Sequence, residues 1–258
     1  MKKYFQGAVI VLLVVSGTAC APRQIKPVSV IDPTPLLEKV NARQTALEQG
    51  LSGTLELFFH GKKRFNGKVY IVAYPDGRFR LEVPGPFGGT HLVMASDNTE
   101  VLAYYPGESR AFRSLADGRS LNSHLPFPLP LDPARLPALI MGVLPGNSDL
   151  SDAQAHLMDS GEKLLEAAAA DGELQYTYLF AKGPQSPLRQ VTIRGEGMDV
   201  LVRTFHDNGH LPRDFMITLA EGVLKGEWDS VAPFEGDEAV LKIHLPDFIK
   251  TTDLEAVP

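Results

Sequence analysis

Residues 76–95, DGRFRLEVPGPFGGTHLVMA, decide the fold. Phe79, Leu81 and Val83 alternate with Arg78, Arg80 and Glu82, so apolar side chains recur at every second residue and point to one side of an extended chain. Asp76-Gly77 in front of them is a hairpin signal, because a tight turn needs backbone angles that Asp and Gly tolerate. The alternation stops at Pro84. In the following PGPFGG run the prolines cannot join a ladder and the glycines offer nothing to pack against, which leaves Phe87 among residues that cannot hide it. Either it projects from a stiff loop or it folds back to plug the sheet edge; the residues alone leave both open.

Outward from this stretch the period of two persists. Leu55, Leu57 and Phe59 share one side of a strand, Val69, Ile71 and Ala73 one side of the next, and residues 90–95, 100–105 and 109–114 continue a meander of about six strands. The period returns at Leu174, Tyr176, Tyr178 and Phe180, at Val191 and Ile193, at Val200 and Val202, at Phe215, Ile217 and Leu219, and over residues 224–228 and 239–245. Residues 34–49 read as an amphipathic helix with Thr34 as N-cap, Pro35 at the first helical position, Leu36, Leu37, Val40 and Leu47 near one face, and Gly50 as its stop. Residues 138–143 form a short lid-like helix after a proline-rich stretch, and end at Pro145-Gly146. Residues 147–172 stay undecided, since 164–170 has high helix propensity while Asp171-Gly172 is a hairpin turn.

The expected fold is mainly β (α+β): a curved antiparallel sheet of about eleven strands forming a half-open barrel, with short helices as lid. Such a sheet curls as it twists, and two helices cover only part of its concave face. An apolar hollow is left over unless bulky side chains fill it, and composition does not choose between the two.

The ends of the chain carry the address. Lys2 and Lys3 precede the apolar run 8–15, and small residues 16–19 lead to the single cysteine, Cys20. Eight apolar residues reach about 12 Å as a helix against a hydrocarbon core of about 30 Å, so residues 1–19 read as a signal peptide rather than a span. The position of Cys20 resembles the lipobox of bacterial lipoproteins, which implies cleavage before Cys20 and acyl chains on it; Gly17 departs from the usual aliphatic residue, and Ala21 favours the outer membrane. Residues 20–33 read as a lipidated tether, 34–246 as the folded domain and 247–258 as a C-terminal tail. The 258 residues carry a formal charge of −6, which argues against nucleic acid as a partner.

Catalytic signatures are thin. The chain lacks a Gly-x-Ser-x-Gly elbow, a His-Glu-x-x-His and a Walker loop. Gly195-x-Gly197 reads as a hairpin turn, and His206 and His210 flank Asp207-Asn208-Gly209, a turn that destroys the shared helical face a zinc pair needs. No catalytic residue, metal or cofactor is assigned.

The chain resembles the LolB family of outer-membrane lipoproteins within the LolA/LolB-like superfamily. Four features carry the resemblance: Arg80-Leu81 through Gly85-Pro86-Phe87-Gly88 to the strand 92–94; Pro128-Leu129-Pro130 followed by 136–140 and Gly142-Val143-Leu144-Pro145-Gly146; Leu211-Pro212-Arg213 into Phe215, Ile217 and Leu219; and Trp228. The resemblance implies a non-enzymatic acceptor that takes acylated lipoproteins from a LolA-like periplasmic carrier and inserts them into the outer membrane, anchored there by Cys20, facing the periplasm and acting as a monomer. It implies a membrane-insertion loop at Pro86, Phe87 and Gly88, with Phe87 in place of the family's leucine. It also implies an apolar cavity whose wall and lid are Leu57, Phe59, Val69, Ile71, Phe79, Leu81, Leu92, Met94, Leu139, Ile140, Phe215, Ile217 and Trp228. The alternatives are a carrier for another amphiphile on the same scaffold, such as a phospholipid or glycolipid, a structural accessory lipoprotein, and a hydrolase.

Overall fold

The computed structural model describes residues 26–115, 119–125, 135–145, 149–170, 172–195, 197–205 and 209–254. Cys20 and the signal peptide, Pro128-Leu129-Pro130, Gly146 and His206 lie outside the described residues. Among the described residues two α-helices, α1 (Thr34–Leu47) and α2 (Leu136–Met141), accompany fifteen strands. The first seven are β1 (Pro27–Ile31), β2 (Leu51–Gly61), β3 (Arg64–Ala73), β4 (Phe79–Pro84), β5 (Thr90–Ser96), β6 (Glu100–Tyr105) and β7 (Arg110–Leu115). After α2 come β8 (Leu150–Met158), β9 (Lys163–Ala169), β10 (Gln175–Phe180), β11 (Leu188–Gly195), β12 (Met198–Thr204), β13 (Pro212–Leu219), β14 (Gly222–Pro233) and β15 (Thr251–Asp253).

All fifteen strands belong to one curved, open sheet, in the order β1-β8-β9-β10-β11-β12-β13-β14-β2-β3-β4-β5-β6-β7-β15. Two meanders, β2 to β7 and β8 to β14, are thus joined by the pairing of β14 with β2, which runs antiparallel from Gly222↔Gly61 to Pro233↔Leu51. Across that seam the register shifts between Trp228 and Ser230, opposite Leu55 and Thr54, and Gly53 next to it pairs with Val231. A Cβ on Gly53 would lie 2.0 Å from the Ser230 carbonyl oxygen. The seam closes only because that position has no side chain.

Apolar residues at alternate positions face one interior. Leu55, Leu57, Val69, Ile71, Phe79, Leu81, Leu92 and Met94 from the first meander share a continuous core with Tyr176, Tyr178, Val191, Ile193, Val200, Val202, Phe215, Ile217, Leu224 and Trp228 from the second. Helix α1 presents Leu36, Val40, Arg43 and Leu47 to it, one residue per helical turn on a single stripe. The opposite, outer side of β4 to β7 is covered by the C-terminal segment, where Phe234 meets Tyr74 edge-to-face and Arg78 pairs with Glu238 at 2.8 Å.

Four strands go beyond those expected, for three different reasons. Residues 27–31, read as part of a tether, pair with β8; their side chains are mostly exposed on both faces, so no core pattern marks them. The undecided stretch is the hairpin of β8 and β9, where pairing on both sides of residues 163–169 overrides their helix propensity. Within the tail, β15 adds to β7 in the one parallel pairing of the sheet among the described residues. Conversely, residues 239–245 are not a strand. Asp237 caps a single 3-10 turn, Glu238–Leu241, and the Arg80 guanidinium takes the carbonyls of Val240 and Lys242 that a neighbouring strand would have taken. At α1 the N-cap is Pro33 rather than Thr34, with the Asp32 carboxylate accepting from the Thr34 amide at 3.0 Å.

Replacing Gly53 by Ala is expected to destabilise the fold by about 1–3 kcal/mol through overpacking against the seam. Gly107→Ala, at a position with open space around it, is expected to change stability by less than about 0.5 kcal/mol. Denaturant titrations of the two variants check both values.

Candidate functional site

Helix α2 is short, and all six of its residues are buried. Its exit turns at Gly142, whose φ of +65° lies in the left-handed region, and a Cβ there would come within 3.1 Å of Val202 and 3.3 Å of Val191. The glycine therefore lets the end of α2 lie directly on β11 and β12.

What holds α2 there comes from α1. The Arg43 guanidinium is buried and donates through Nη1 to the Gly142 carbonyl at 2.7 Å, through Nη2 to the Met141 carbonyl, and through Nε to the His210 carbonyl at 3.1 Å. One residue on, Gln44 makes a two-way amide pair with Leu144, giving 3.2 Å to its carbonyl and receiving 3.1 Å from its amide. Lys39, one turn earlier, donates to the Gln185 and Ser186 carbonyls of the β10–β11 connection. The helix thus clamps the end of α2 and two strand connections with three polar side chains.

A cation in an apolar interior is costly unless its donors are met. Burial draws the Arg43 guanidinium down to about 10, opposed by the nearby Tyr178, and the group still carries its charge at neutral pH. The Met141 and Gly142 carbonyls it meets are at the end of α2, where carbonyls have no partner within the helix, and the His210 carbonyl lies in the β12–β13 connection. The same burial pushes the Tyr178 hydroxyl far up, reinforced by Tyr176 beside it. Tyr178 Oη and Trp228 Nε1 are buried and have no hydrogen-bond partner among the described residues. Such orphans cost about 1–3 kcal/mol each and are satisfied when a bound molecule supplies an acceptor.

The residues expected to wall a hollow, namely Leu57, Phe59, Val69, Ile71, Phe79, Leu81, Leu92, Met94, Phe215, Ile217 and Trp228, are all buried in the shared core together with Leu139 and Ile140 of the lid. They belong to one buried cluster with α2. Among the described residues, one cavity of about 690 Å³ lies between the C-terminal segment and the outer side of β5 to β7, bordered by Arg78, Asp97, Glu100, Arg113 and Lys242, and one of about 420 Å³ lies beside the 85–89 loop.

That loop settles the Phe87 alternatives. Its ring is 100% exposed. The Gly85 amide donates to the Gly89 carbonyl at 3.0 Å and the Gly88 amide to the Gly85 carbonyl at 3.2 Å, with Gly88 and Gly89 at φ of +89° and +73°. Two internal hydrogen bonds and two prolines hold the ring outward on a firm base. Among the described residues no group of three or more His, Cys, Asp or Glu converges, and no helix is long and apolar enough to cross a membrane.

Sequence reasoning missed Arg43 and Gln44. A signal was present, since Arg43 falls seven residues after Leu36 on the stripe of Leu36, Val40 and Leu47. A charged residue on an apolar stripe marks either a solvated edge or a buried clamp, and only the carbonyls it meets distinguish them.

No protein-family model and no curated protein sequence matches the chain. Solved structures do. A putative outer membrane lipoprotein-sorting protein domain from Vibrio parahaemolyticus superposes with a TM-score of 0.50 at 11% identity, covering 80% of this chain and 95% of that one. A LolA superfamily protein from Nitrosomonas europaea gives 0.45 at 7% identity over 83% and 98% of the two chains, and a DUF1329 family protein from Desulfovibrio piger 0.45 at 12% over 82% and 100%. The likeness to the Vibrio domain shows a shared fold.

Arg43→Met removes three donors and takes the guanidinium away from the buried Met141 and Gly142 carbonyls. Stability is expected to fall by about 2–4 kcal/mol, with hydrogen exchange accelerating at the amides of residues 139–144. Arg43→Lys is expected to recover only part of this, because an ammonium cannot span the three acceptors as the planar fork does. Exchange rates at 139–144 that match the unaltered protein would remove the clamp role.

Proposed function

We propose that this protein is a lipid-anchored acceptor on the periplasmic face of the outer membrane, which takes the acyl chains of lipoproteins from a LolA-like carrier beneath α2 and delivers them into the bilayer. It does so as a monomer and without covalent chemistry. The observation that carries the reading is the clamped lid: a fully buried helix over an apolar concave face, fastened by side chain to backbone bonds that can be exchanged without unpairing any strand. The name of the Vibrio neighbour, a lipoprotein-sorting domain, supports the same class of cargo.

The physics of transfer explains why such a lid is useful. Each methylene exposed to water costs about 0.8 kcal/mol, so a long acyl chain can pass from one protein to another and on to a bilayer only through successive apolar surroundings. Admission of the chains beneath α2 requires that helix to lift from β11 and β12 and the wall residues to part. The orphaned Tyr178 hydroxyl and Trp228 indole N–H then meet the carbonyls of the ester- or amide-linked chains. No nucleotide is needed, because the chains move toward deeper burial at every step.

Delivery needs contact with the membrane, and the reading assigns that to Pro86, Phe87 and Gly88. Burying one phenyl ring is worth about 1.5–3 kcal/mol, enough for reversible entry and too little for anchoring. Holding falls to the acyl chains on Cys20, since stable attachment takes more than one lipid chain.

Phe87→Glu is expected to fold normally and to lose most delivery in a liposome transfer assay, because a carboxylate does not enter hydrocarbon cheaply; undiminished delivery would remove the insertion role. Cys20→Ala is expected to move the protein from the membrane to the soluble fraction, and continued membrane fractionation would contradict lipidation. Native mass spectrometry of the purified protein identifies its cargo, and a phospholipid or glycolipid in place of a lipoprotein's acyl chains would assign the scaffold to another amphiphile.

A further inference from the structure

The hairpin next to the Phe87 loop carries three consecutive cations at its tip, Lys62, Lys63 and Arg64, all exposed. Strand β3 leaves that tip and pairs antiparallel with β4, from Tyr70↔Glu82 to Ala73↔Phe79, so the tip and the 85–89 loop leave the sheet at the same end. A groove of about 420 Å³ lies between β3 and the base of the 85–89 loop, bordered by Phe65, Asn66, Lys68, Pro84, Pro86 and His91.

The charge at this end is unbalanced. Lys62 and Arg64 have no acidic partner among the described residues, and Lys63 donates to the neutral Leu125 carbonyl at 3.1 Å. Lys68, by contrast, is neutralised by Asp229 at 2.5 Å. Of the flanking turns at the same end, the β13–β14 turn carries Glu221, and the β6–β7 turn carries Glu108, which is already engaged by Arg110. A cluster of cations without acidic partners among the described residues, on a chain with a net charge of −6, is a local reversal of sign, and it lies at the same end of the sheet as Phe87, the most exposed aromatic ring among the described residues.

We propose that Lys62, Lys63 and Arg64 form the headgroup half of a two-part membrane footprint whose hydrocarbon half is Phe87, so that this end of the sheet docks on an anionic, phosphate-bearing lipid surface. The inference rests on the reading of Phe87 as a membrane-touching residue and adds a choice of lipid to it. A single ring flanked by cations matches interfacial binding, in which apolar insertion and attraction to anionic headgroups act together. The loop's one ring offers far less apolar area than the roughly 800 Å² per partner of a stable protein interface.

The test uses the full chain carrying Cys20→Ala, so that binding does not depend on the anchor, and co-sediments it with vesicles of phosphatidylcholine alone or mixed with phosphatidylglycerol. Lys62→Gln/Arg64→Gln is the probe, chosen because it spares the Lys63 hydrogen bond, and its melting curve reports that the fold is intact. Each cation near an anionic surface contributes roughly fivefold in affinity. The double variant is therefore expected to lose about 25-fold on mixed vesicles and little on phosphatidylcholine, whereas Phe87→Ser is expected to lose affinity on both. High salt is expected to abolish the preference for mixed vesicles. Equal binding of the parent to both vesicle types, or full retention of anionic binding by the double variant, overturns the proposal and reassigns the cations to an acidic protein surface. If the double variant loses anionic binding while Phe87→Ser loses nothing, headgroup docking stands and the insertion reading fails.

Discussion

The pairing of β14 with β2 is the constraint on which the rest of the molecule depends. Each strand ends or begins a meander, and apart the two meanders would each expose a long edge and an apolar face. Joined, they make one surface that twists in one sense and closes its concave side around a shared core. Residues far apart in the chain, such as Leu57 and Ile217, become part of one interior only through that seam. The open ends of the sheet are finished with short pieces: β1 on one side and the parallel β15 on the other.

A curved sheet with an apolar concave face still needs cover, and here the cover is small and specifically fastened. Helix α1 contributes three leucine and valine side chains and one cation to the same stripe. The apolar residues supply non-directional attraction, while Arg43 supplies direction, since its donors are met only if α2 and the β12–β13 connection stand at one distance from α1. Burying a charge to achieve this is uneconomical for stability alone. A helix fastened by a few strong polar bonds, rather than by continuous strand pairing, can be released as a unit, and under the proposed function that release admits the acyl chains.

The two ends of the strands differ in character. One presents Phe87 on a stiff loop beside the basic tip of the β2–β3 hairpin, and the outer side near the other end of β4 is strapped by the C-terminal segment through Arg78 and Arg80. Under the proposed function the first end faces the bilayer. The strap leaves a charged cavity against β5 to β7, a feature of the outer side with no connection to the clamped lid.

Much of this was legible before any coordinates. Period-two patterning in residues 55–83 and 174–228, turn dipeptides at their joints and the stripe of Leu36, Val40 and Leu47 determined a mainly β fold with a helix to one side, because alternation of side chains along a strand is a local property of the backbone. The sequence left Phe87 between projecting and plugging the sheet edge, and the structure decides for projection. The tertiary structure decided the rest. Residues 163–169 are a strand because two neighbours pair with them, residues 27–31 and 251–253 join the edges for the same reason, and residues 239–245 fail to pair because Arg80 takes their carbonyls. Arg43 became the lid's fastening only when the chain brought the carbonyls of Met141, Gly142 and His210 to one point. Spacing in a sequence records which way a side chain points, whereas a buried charge is defined by what surrounds it, and those surroundings are assembled from segments about a hundred and more residues away.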